Sequence, residues 1–355
     1  MPEQIDRLRA TELSPRLDEA LEIVCNEFDG LDADRQYRNA FSRVLKGDPL
    51  RRVSMMGTDS RDLFIPLLRR AIENHVPAGG HLFDFGAGDG QSFALVADAV
   101  PDGTVVSIEE PNPAYLADYV AFLERQAHLR VGAAISAGLD ELEEGASRSG
   151  IDLPEAESVD LALALHMLYF ATDTLASIKR MLRFVKRGGA FFTVIADLKT
   201  AYQGFVLREF IEAGGDTGEN DRHLAAIDEQ RRLLATAEEG GGGLAEALRA
   251  ADIPFEVRTV RQPSRLYGHS LADLLALGNI GELATVAGTL KFEVAARTLR
   301  DRSEEIDLRI ETHGPRLGMW SVAQPQWVTQ ASRSPHRAPL GRSSGLDGRQ
   351  GWADS

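Results

Sequence analysis

The stretch Phe83-Asp84-Phe85-Gly86-Ala87-Gly88-Asp89-Gly90 joins an apolar run of strand character, His81–Phe85, to a segment with helical spacing at Phe93, Val96 and Ala97. Glycines at such a junction let the chain turn sharply and let a ligand approach the backbone closely. The next apolar run, Thr104–Ile108, ends in Glu109-Glu110-Pro111. That is roughly 20 residues past the loop, the spacing at which an acid on a strand tip meets ribose hydroxyls. The acids discriminate among ligands. A dinucleotide lays its pyrophosphate on the helix N-terminus and wants a glycine one place after Gly90, where Gln91 stands. Asp84 and Asp89 would also repel that pyrophosphate.

A ligand with a sulfonium, an ammonium and ribose hydroxyls but no phosphate suits the same carboxylates, and S-adenosylmethionine answers that description. Glu110, at the strand tip before Pro111, is preferred to Glu109 for the ribose. Methyl transfer from such a ligand is an in-line displacement in which orientation alone supplies on the order of 7–11 kcal/mol. A base is needed only for an acceptor protonated at neutral pH, an alcohol or ammonium rather than a phenol or carboxylate. His166 is the candidate for a base or a substrate contact. It follows the apolar run Val159–Leu165, at the edge where doubly wound sheets bind ligands. The plainer alternative is a hydrogen-bonded histidine packed beside Met167. Tyr169 and Phe170 either shape the pocket or join the core. Tyr202 either faces substrate or lies in a solvated loop. His75, His128, His223, His269 and His313 lack metal-site spacing with cysteine or paired acids, so no metal is expected.

The elements that must position these residues alternate strand and helix. Val131–Ile135 is expected as a third strand, Leu175–Val185 as a helix stopped by Arg187-Gly188-Gly189, and Ala190–Ile195 as a further strand. This order implies an α/β fold, a Rossmann-like doubly wound sheet with right-handed crossovers. Helices are expected before it. Ser14-Pro15 is a start signal, followed by Leu17, Leu21, Val24 and Phe28 at helical spacing. A second helix would carry Tyr37, Phe41, Val44 and Leu45, and a third Leu63, Ile65, Leu67 and Leu68. Beyond the core, 200–243 is polar and mostly helical, Leu244–Ala251 a short helix and Phe255–Val260 a strand. Ser270 and Asp273 form a capping pair, and Trp320–Val322 is expected as the last strand. From about Ala331 the text loses apolar periodicity and is expected to be disordered. The implied division is a helical lid at 1–75, a cofactor-binding core at 76–200, an insert with the last strands at 201–330, and a tail at 331–355.

Bulk composition narrows the function classes. The chain has 355 residues, 43% hydrophobic, with a formal net charge of -15. That field repels phosphate backbones, so nucleic acid is not an expected partner. Cys25 is the single cysteine, which excludes an internal disulfide and fits a reducing cytosol. The start MPEQIDRLRA has no signal-peptide character. The most apolar run, Val159–Ala171, is too short to span a bilayer and contains Asp160 and His166, so no membrane association is expected. A cytoplasmic location is the expectation.

FDFGAGDG, IEEPNPAYLADY, VDLALALHMLYF and MLRFVKRGGAFFTVIAD together resemble the successive motifs of class I methyltransferases over about residues 80–200. A weaker likeness runs from Tyr37 to Val322: QYRNAF, EPNPAYLADY, HMLYFATD and a C-terminal helical insert are similar to the histamine N-methyltransferase group. The resemblance implies a seven-stranded sheet with lids made from the N-terminal helices and the insert. It assigns Gly86, Gly88 and Glu110 to the cofactor, places Ser136 near the adenine, and has Tyr37 and Phe41 line the active site; Asp84, Ala87, Asp89 and His166 are expected to border the same ligand. Two positions depart from the group. His166 stands where the histamine enzymes carry a substrate-contacting Gln, and Leu50, with Asp48 nearby, stands where they carry an amine-binding Glu. Both departures point away from histamine. The leading expectation is methyl transfer to N or O of a small molecule in an enclosed pocket. Methylation of a peptide or protein is the second, and a non-catalytic binding module with the same fold the third. The oligomeric state is left open.

Overall fold

The computed structural model describes residues 10–32, 35–36, 39–40, 57–171, 173–212, 218–278, 290–312, 314 and 316–334. Its strands are β1 (His81–Phe85), β2 (Thr104–Glu109), β3 (Leu129–Ile135), β4 (Val159–Leu165), β5 (Val185–Ala196), β6 (Phe255–Gln262), β7 (Arg265–Gly268), β8 (Arg309–Ile310), β9 (Trp320–Ala323) and β10 (Gln326–Arg333). Seven form one sheet in the order β3-β2-β1-β4-β5-β10-β6, and the other three a small sheet in the order β7-β9-β8. Strands β1 to β5 pair in parallel, and β10 runs antiparallel to both β5 and β6. Phe85 pairs with Glu109 on one side and Ala164 on the other. That register brings the carboxyl ends of β1, β2 and β4 to one edge.

The helices are α1 (Ala10–Phe28), α2 (Ser60–His75), α3 (Gln91–Ala94), α4 (Pro113–Glu124), α5 (Leu142–Ser149), α6 (Thr174–Leu182), α7 (Tyr202–Glu212), α8 (Gly218–Leu234), α9 (Gly243–Ala250), α10 (Leu271–Gly278) and α11 (Leu290–Asp301). They cover both faces of the large sheet. On one, Phe64 and Leu68 of α2, Phe93 of α3 and Leu123 of α4 pack on Leu82, Val106, Ile108 and Leu163. On the other, Leu142, Ile178, Met181, Leu233 and Leu248 pack on Phe83, Phe85, Ala162, Phe191 and Trp327. Burial on both faces is why β4 reads as a nearly unbroken apolar run. The expected Rossmann-like, doubly wound, seven-stranded and mostly parallel sheet is therefore present. A third core, built from α1, α7, α10, α11 and the small sheet, forms a cap.

Several local expectations are corrected. Helix α1 is already under way at Ala10, so Ser14-Pro15 lies inside it; the buried stripe starts at Leu13 and continues through Leu17, Ala20, Val24 and Phe28. In α2 the buried face is Phe64, Leu68, Ala71 and Ile72, not Leu63, Ile65 and Leu67. Two apolar strings share that helix, and only packing on the sheet chooses between them. Helix α3 is four residues long and gives way to a 3-10 turn at Ala97–Ala99. Trp320–Ala323 belongs to the small sheet, and the last strand is β10. Order therefore continues through Arg333, where a tail was expected from Ala331. Strand β10 was hidden by its polar residues, which the sheet satisfies internally, as in the 2.9 Å contact between the Thr329 and Thr259 hydroxyls. The expected lid at 1–75 divides: α1 joins the cap, whereas α2 packs on the large sheet. The insert divides too, since β6 and β10 complete the large sheet and β7 to β9 belong to the cap. Most of the expected helix carrying Tyr37, Phe41, Val44 and Leu45 lies outside the described residues. The predicted Ser270–Asp273 box is present, each side chain accepting from the other's backbone N–H at 3.3 and 3.0 Å.

Candidate functional site

Strand β1 ends at Phe85 and the chain turns through Gly86, Gly88 and Gly90, all at positive φ (58°, 58° and 77°). The three glycines do different work. A Cβ at Gly86 would lie 2.5 Å from Met167 Cβ, and one at Gly90 2.4 Å from the Tyr119 ring, whereas one at Gly88 would meet nothing within 4 Å. Two glycines permit packing and the third borders open space. Two of the loop's N–H groups are taken by carboxylates. Gly86 N donates to Glu109 Oε2 and Gly88 N to Glu110 Oε2, both at 2.8 Å. These are the groups a phosphate would need, so the geometry disfavours a pyrophosphate. Glu110 Oε1 also accepts from Asn112 N at 2.8 Å. Asn112 in turn caps α4, accepting from Ala114 N and Tyr115 N ahead of Pro113; this helix start fixes the turn that presents Glu110. Ile135 O accepts from Glu110 N at 3.1 Å, which brings the exposed Ser136, the next residue, to the same edge.

Asp84, Glu109 and Glu110 are all buried, at 3%, 1% and 7% exposure. Burial, first of all, pushes Asp84 up to about 7; the Tyr119 hydroxyl opposes this and Glu110 adds to it. Burial pushes Glu109 up to about 8, against the Gly86 N–H and with help from Glu110 and Asp84. Glu110 is raised as well, chiefly by burial. No basic side chain is among the groups acting on these three acids. Asp84 Oδ1 is buried without a hydrogen-bond partner. Clustered acids that share no counter-charge and leave an oxygen unsatisfied suit a cationic ligand.

Asp89 does not point inward with them: its carboxylate accepts from Gln91 Nε2 at 2.5 Å and Gln91 N at 3.3 Å, at the start of α3. Facing the loop from α2 is Arg61, 9% exposed. Its Nε donates to Ser92 Oγ at 3.1 Å, and burial lowers it to about 10 while Asp89 and Asp62 pull it up. Sequence reading missed Arg61, because nothing in an amphipathic helix marks which charged residue the fold turns inward.

His166 stands at the end of β4 in the left-handed region, φ 55°, a conformation histidine tolerates better than most residues. Its contacts define its tautomer. Ala196 N donates to the Tyr169 hydroxyl, which donates on to His166 Nδ1 at 3.1 Å. Because the Ser60 hydroxyl spends its own proton on Gln326, Nε2 carries the ring proton and donates to Ser60 Oγ at 2.8 Å, leaving Nδ1 as the acceptor. Ser60 Oγ donates to Gln326 Oε1 at 2.5 Å. Burial, then Arg61, lowers His166 to about 4. Its only acceptor nitrogen is occupied by Tyr169, so the geometry counts against a general base. His166 is a junction between β4, β5, β10 and α2. Tyr169 spends its hydroxyl in this chain. Tyr202 is not in a solvated loop: it opens α7, is fully buried in the cap core and donates to Leu274 O at 3.2 Å. Tyr37 and Phe41 lie outside the described residues. Among those described, no group of His, Cys, Asp and Glu is arranged to hold a metal, and no helix is long and apolar enough to cross a membrane.

No family model matches the chain, and no curated protein matches it. Solved structures resemble it weakly. The YcgJ protein from Bacillus subtilis is 12% identical, with a TM-score of 0.45 over 76% of this chain and 97% of that one. Phosphoethanolamine N-methyltransferase 2 from Haemonchus contortus, in complex with S-adenosyl-L-methionine, is 11% identical, with a TM-score of 0.43 over 93% of this chain and 61% of that one. The [4+2]-cyclase SpnF is 15% identical, with a TM-score of 0.42 over 89% and 97%. Likeness at this level assigns neither activity nor acceptor, and the narrower likeness to the histamine N-methyltransferase group finds no support in it. The site's chemistry is read from its own residues.

Proposed function

We propose that the chain is an S-adenosylmethionine-dependent methyltransferase of the class I type, acting on N or O of a small molecule. The observation that carries this reading is the uncompensated acid cluster Asp84, Glu109 and Glu110 around a glycine turn whose Gly86 and Gly88 N–H groups are already filled. Within it, Glu110 would accept from the ribose hydroxyls and the unsatisfied oxygen of Asp84 would meet the ammonium. Gly86, Ala87 and Gly88 would give the ligand close access to the backbone. Ser136 would border the adenine, and Arg61 would complement the methionyl carboxylate. When bound, S-adenosylmethionine supplies an electrophilic methyl group on a sulfonium.

The chain's own part is to orient, to exclude water and to hold the acceptor's lone pair in line. Because His166 has no free acceptor nitrogen, we assign it to positioning and expect an acceptor that needs no strong base. A small acceptor is favoured by the cap, which joins the core beside His166. Thr58 bridges to Leu266, and the Asp59 carboxylate accepts from Ser264 Oγ at 2.8 Å and Arg265 N at 2.7 Å. Calorimetry with S-adenosylmethionine tests the cofactor assignment. Micromolar binding is expected, weakened at least about tenfold, or 1.4 kcal/mol, by Glu110→Ala; unchanged binding in that variant removes the assignment. A methyl-transfer screen of phenols, carboxylic acids and amines against peptides then tests the acceptor class, and turnover of peptides alone would overturn the small-molecule reading.

A further inference from the structure

Tyr119, in α4, lies where the glycine loop, β1 and the tip of β2 meet. It is fully buried. Its hydroxyl donates to Asp84 Oδ2 at 3.0 Å. Its ring fills the space beneath Gly90 and is held by Phe93 and Phe122, with ring centroids 5.7 and 6.4 Å away. Asp84 is thus gripped through one oxygen, while the other is buried and unpartnered.

We propose that Tyr119 is the positioning residue of the cofactor site: its hydroxyl holds Asp84 ionised and aimed, so that the unpartnered oxygen is ready for the ligand's ammonium. This rests on the reading that Asp84 meets that ammonium. The surroundings make such a device necessary. Tyr119 faces Asp84 from α4, Glu109 and Glu110 lie at the end of β2, and β4 offers only the apolar Leu163 opposite in register. Burial and Glu110 favour the protonated form of Asp84, and the Tyr119 hydroxyl opposes them. A neutral Asp84 has no charge to offer a cation, so the hydrogen bond decides over which pH range the site is open.

The test is calorimetric binding of S-adenosylmethionine and S-adenosylhomocysteine between pH 6 and 8.5, with wild type, Tyr119→Phe and Asp84→Asn. Losing the hydroxyl is expected to move the Asp84 titration upward by about one unit. The ratio of dissociation constants, Tyr119→Phe over wild type, should then be about tenfold at pH 6 and shrink below about twofold at pH 8.5. Titration of the ligand's own amine cancels in that ratio. Asp84→Asn should bind weakly and make the further Tyr119→Phe change silent. A ratio that stays constant across the range would mean packing alone and would overturn the proposal. Should Tyr119→Phe fail to fold, a difluorotyrosine at position 119, a stronger donor, should move the profile the opposite way; an unmoved profile would overturn the proposal equally. Wild type that binds neither ligand, or Asp84→Asn that binds both normally, would instead overturn the cofactor reading on which this one stands.

Discussion

Two groups of buried acids sit at the same edge of the large sheet and are treated in opposite ways. Asp197, just past β5, is 1% exposed. Its carboxylate accepts from Arg231 Nη1 with both oxygens, at 2.9 and 2.8 Å, from Thr200 Oγ1 at 2.7 Å and from Lys199 N at 3.2 Å. The Arg231 guanidinium also stands over the Trp327 ring, 5.5 Å from its centroid. Asp84, Glu109 and Glu110 are buried as deeply, yet receive only N–H and O–H donors and no cation. A buried charge that the chain neutralises itself is structural. One that the chain leaves uncompensated raises the energy of the empty protein, and that cost is recovered only when a positive ligand arrives.

The comparison is broken most forcefully at the closed site. Arg231→Met removes the cation and leaves Asp197 buried alone, which should destabilise the protein by about 3–5 kcal/mol in urea unfolding, with cofactor affinity unchanged under folding conditions. A small loss would mean that water or a neighbour already compensates Asp197. At the open site the lever is pH. Asp84 at about 7 and Glu109 at about 8 keep protons that the unfolded chain has already lost at its ordinary values of 3.8 and 4.5. The native state binds more protons across that interval, so stability of the ligand-free protein falls as pH rises from about 4 to 8. Asp84 alone contributes on the order of 4 kcal/mol over three units. Saturating cofactor should flatten the slope. Unfolding midpoints that rise over that interval would show the loop acids to be compensated, and the contrast with Asp197 would vanish.

How much of this could be read from sequence follows the same division. The open site was legible because its residues are local: glycines and acids lie within one turn and one strand tip, and their spacing is set by a strand–loop–helix unit. The alternation of β1 to β5 was legible for the same reason, most of them being apolar runs bounded by turn residues; β5 departs from this, since it starts at Val185, inside the expected helix, and runs through Arg187-Gly188-Gly189, which was read as a stop. The closed site was not legible, because Asp197 and Arg231 are 34 positions apart and only the tertiary fold brings them together. Strand β10 was missed because a central strand whose polar groups pair with neighbouring strands carries no apolar alternation. His166 could be singled out, but its contacts could not: they involve Tyr169, Ala196 and Ser60, and Ser60 lies more than a hundred positions away.

The glycines give a smaller test of where the ligand space lies. Gly90→Ala combines a left-handed backbone with a Cβ 2.4 Å from the Tyr119 ring, and should cost about 2–3 kcal/mol of stability. Gly88→Ala carries the same backbone penalty, about 1 kcal/mol, but its Cβ enters open space; it should cost no more stability than that and weaken cofactor binding. Equal effects of the two variants on cofactor affinity would mean that Gly88 does not border the ligand.

The finest test makes one chemical change at both sites. Glu109→Gln keeps an oxygen to accept from Gly86 N but removes the charge. In the ligand-free protein it should raise stability at both pH 5.5 and pH 8.5, because unfolded Glu109 is ionised at both, and by on the order of 3 kcal/mol more at pH 8.5, where the folded carboxyl must ionise as well. Asp197→Asn removes the same charge and should lower stability at both pH values, because Arg231 is left without its partner. Opposite signs from one substitution type would show that the two acid sites differ in purpose and not only in place. If Glu109→Gln were destabilising at pH 8.5, the carboxylate beneath the glycine loop would be a structural group like Asp197, and the case for a cationic ligand would lose one of its three acids.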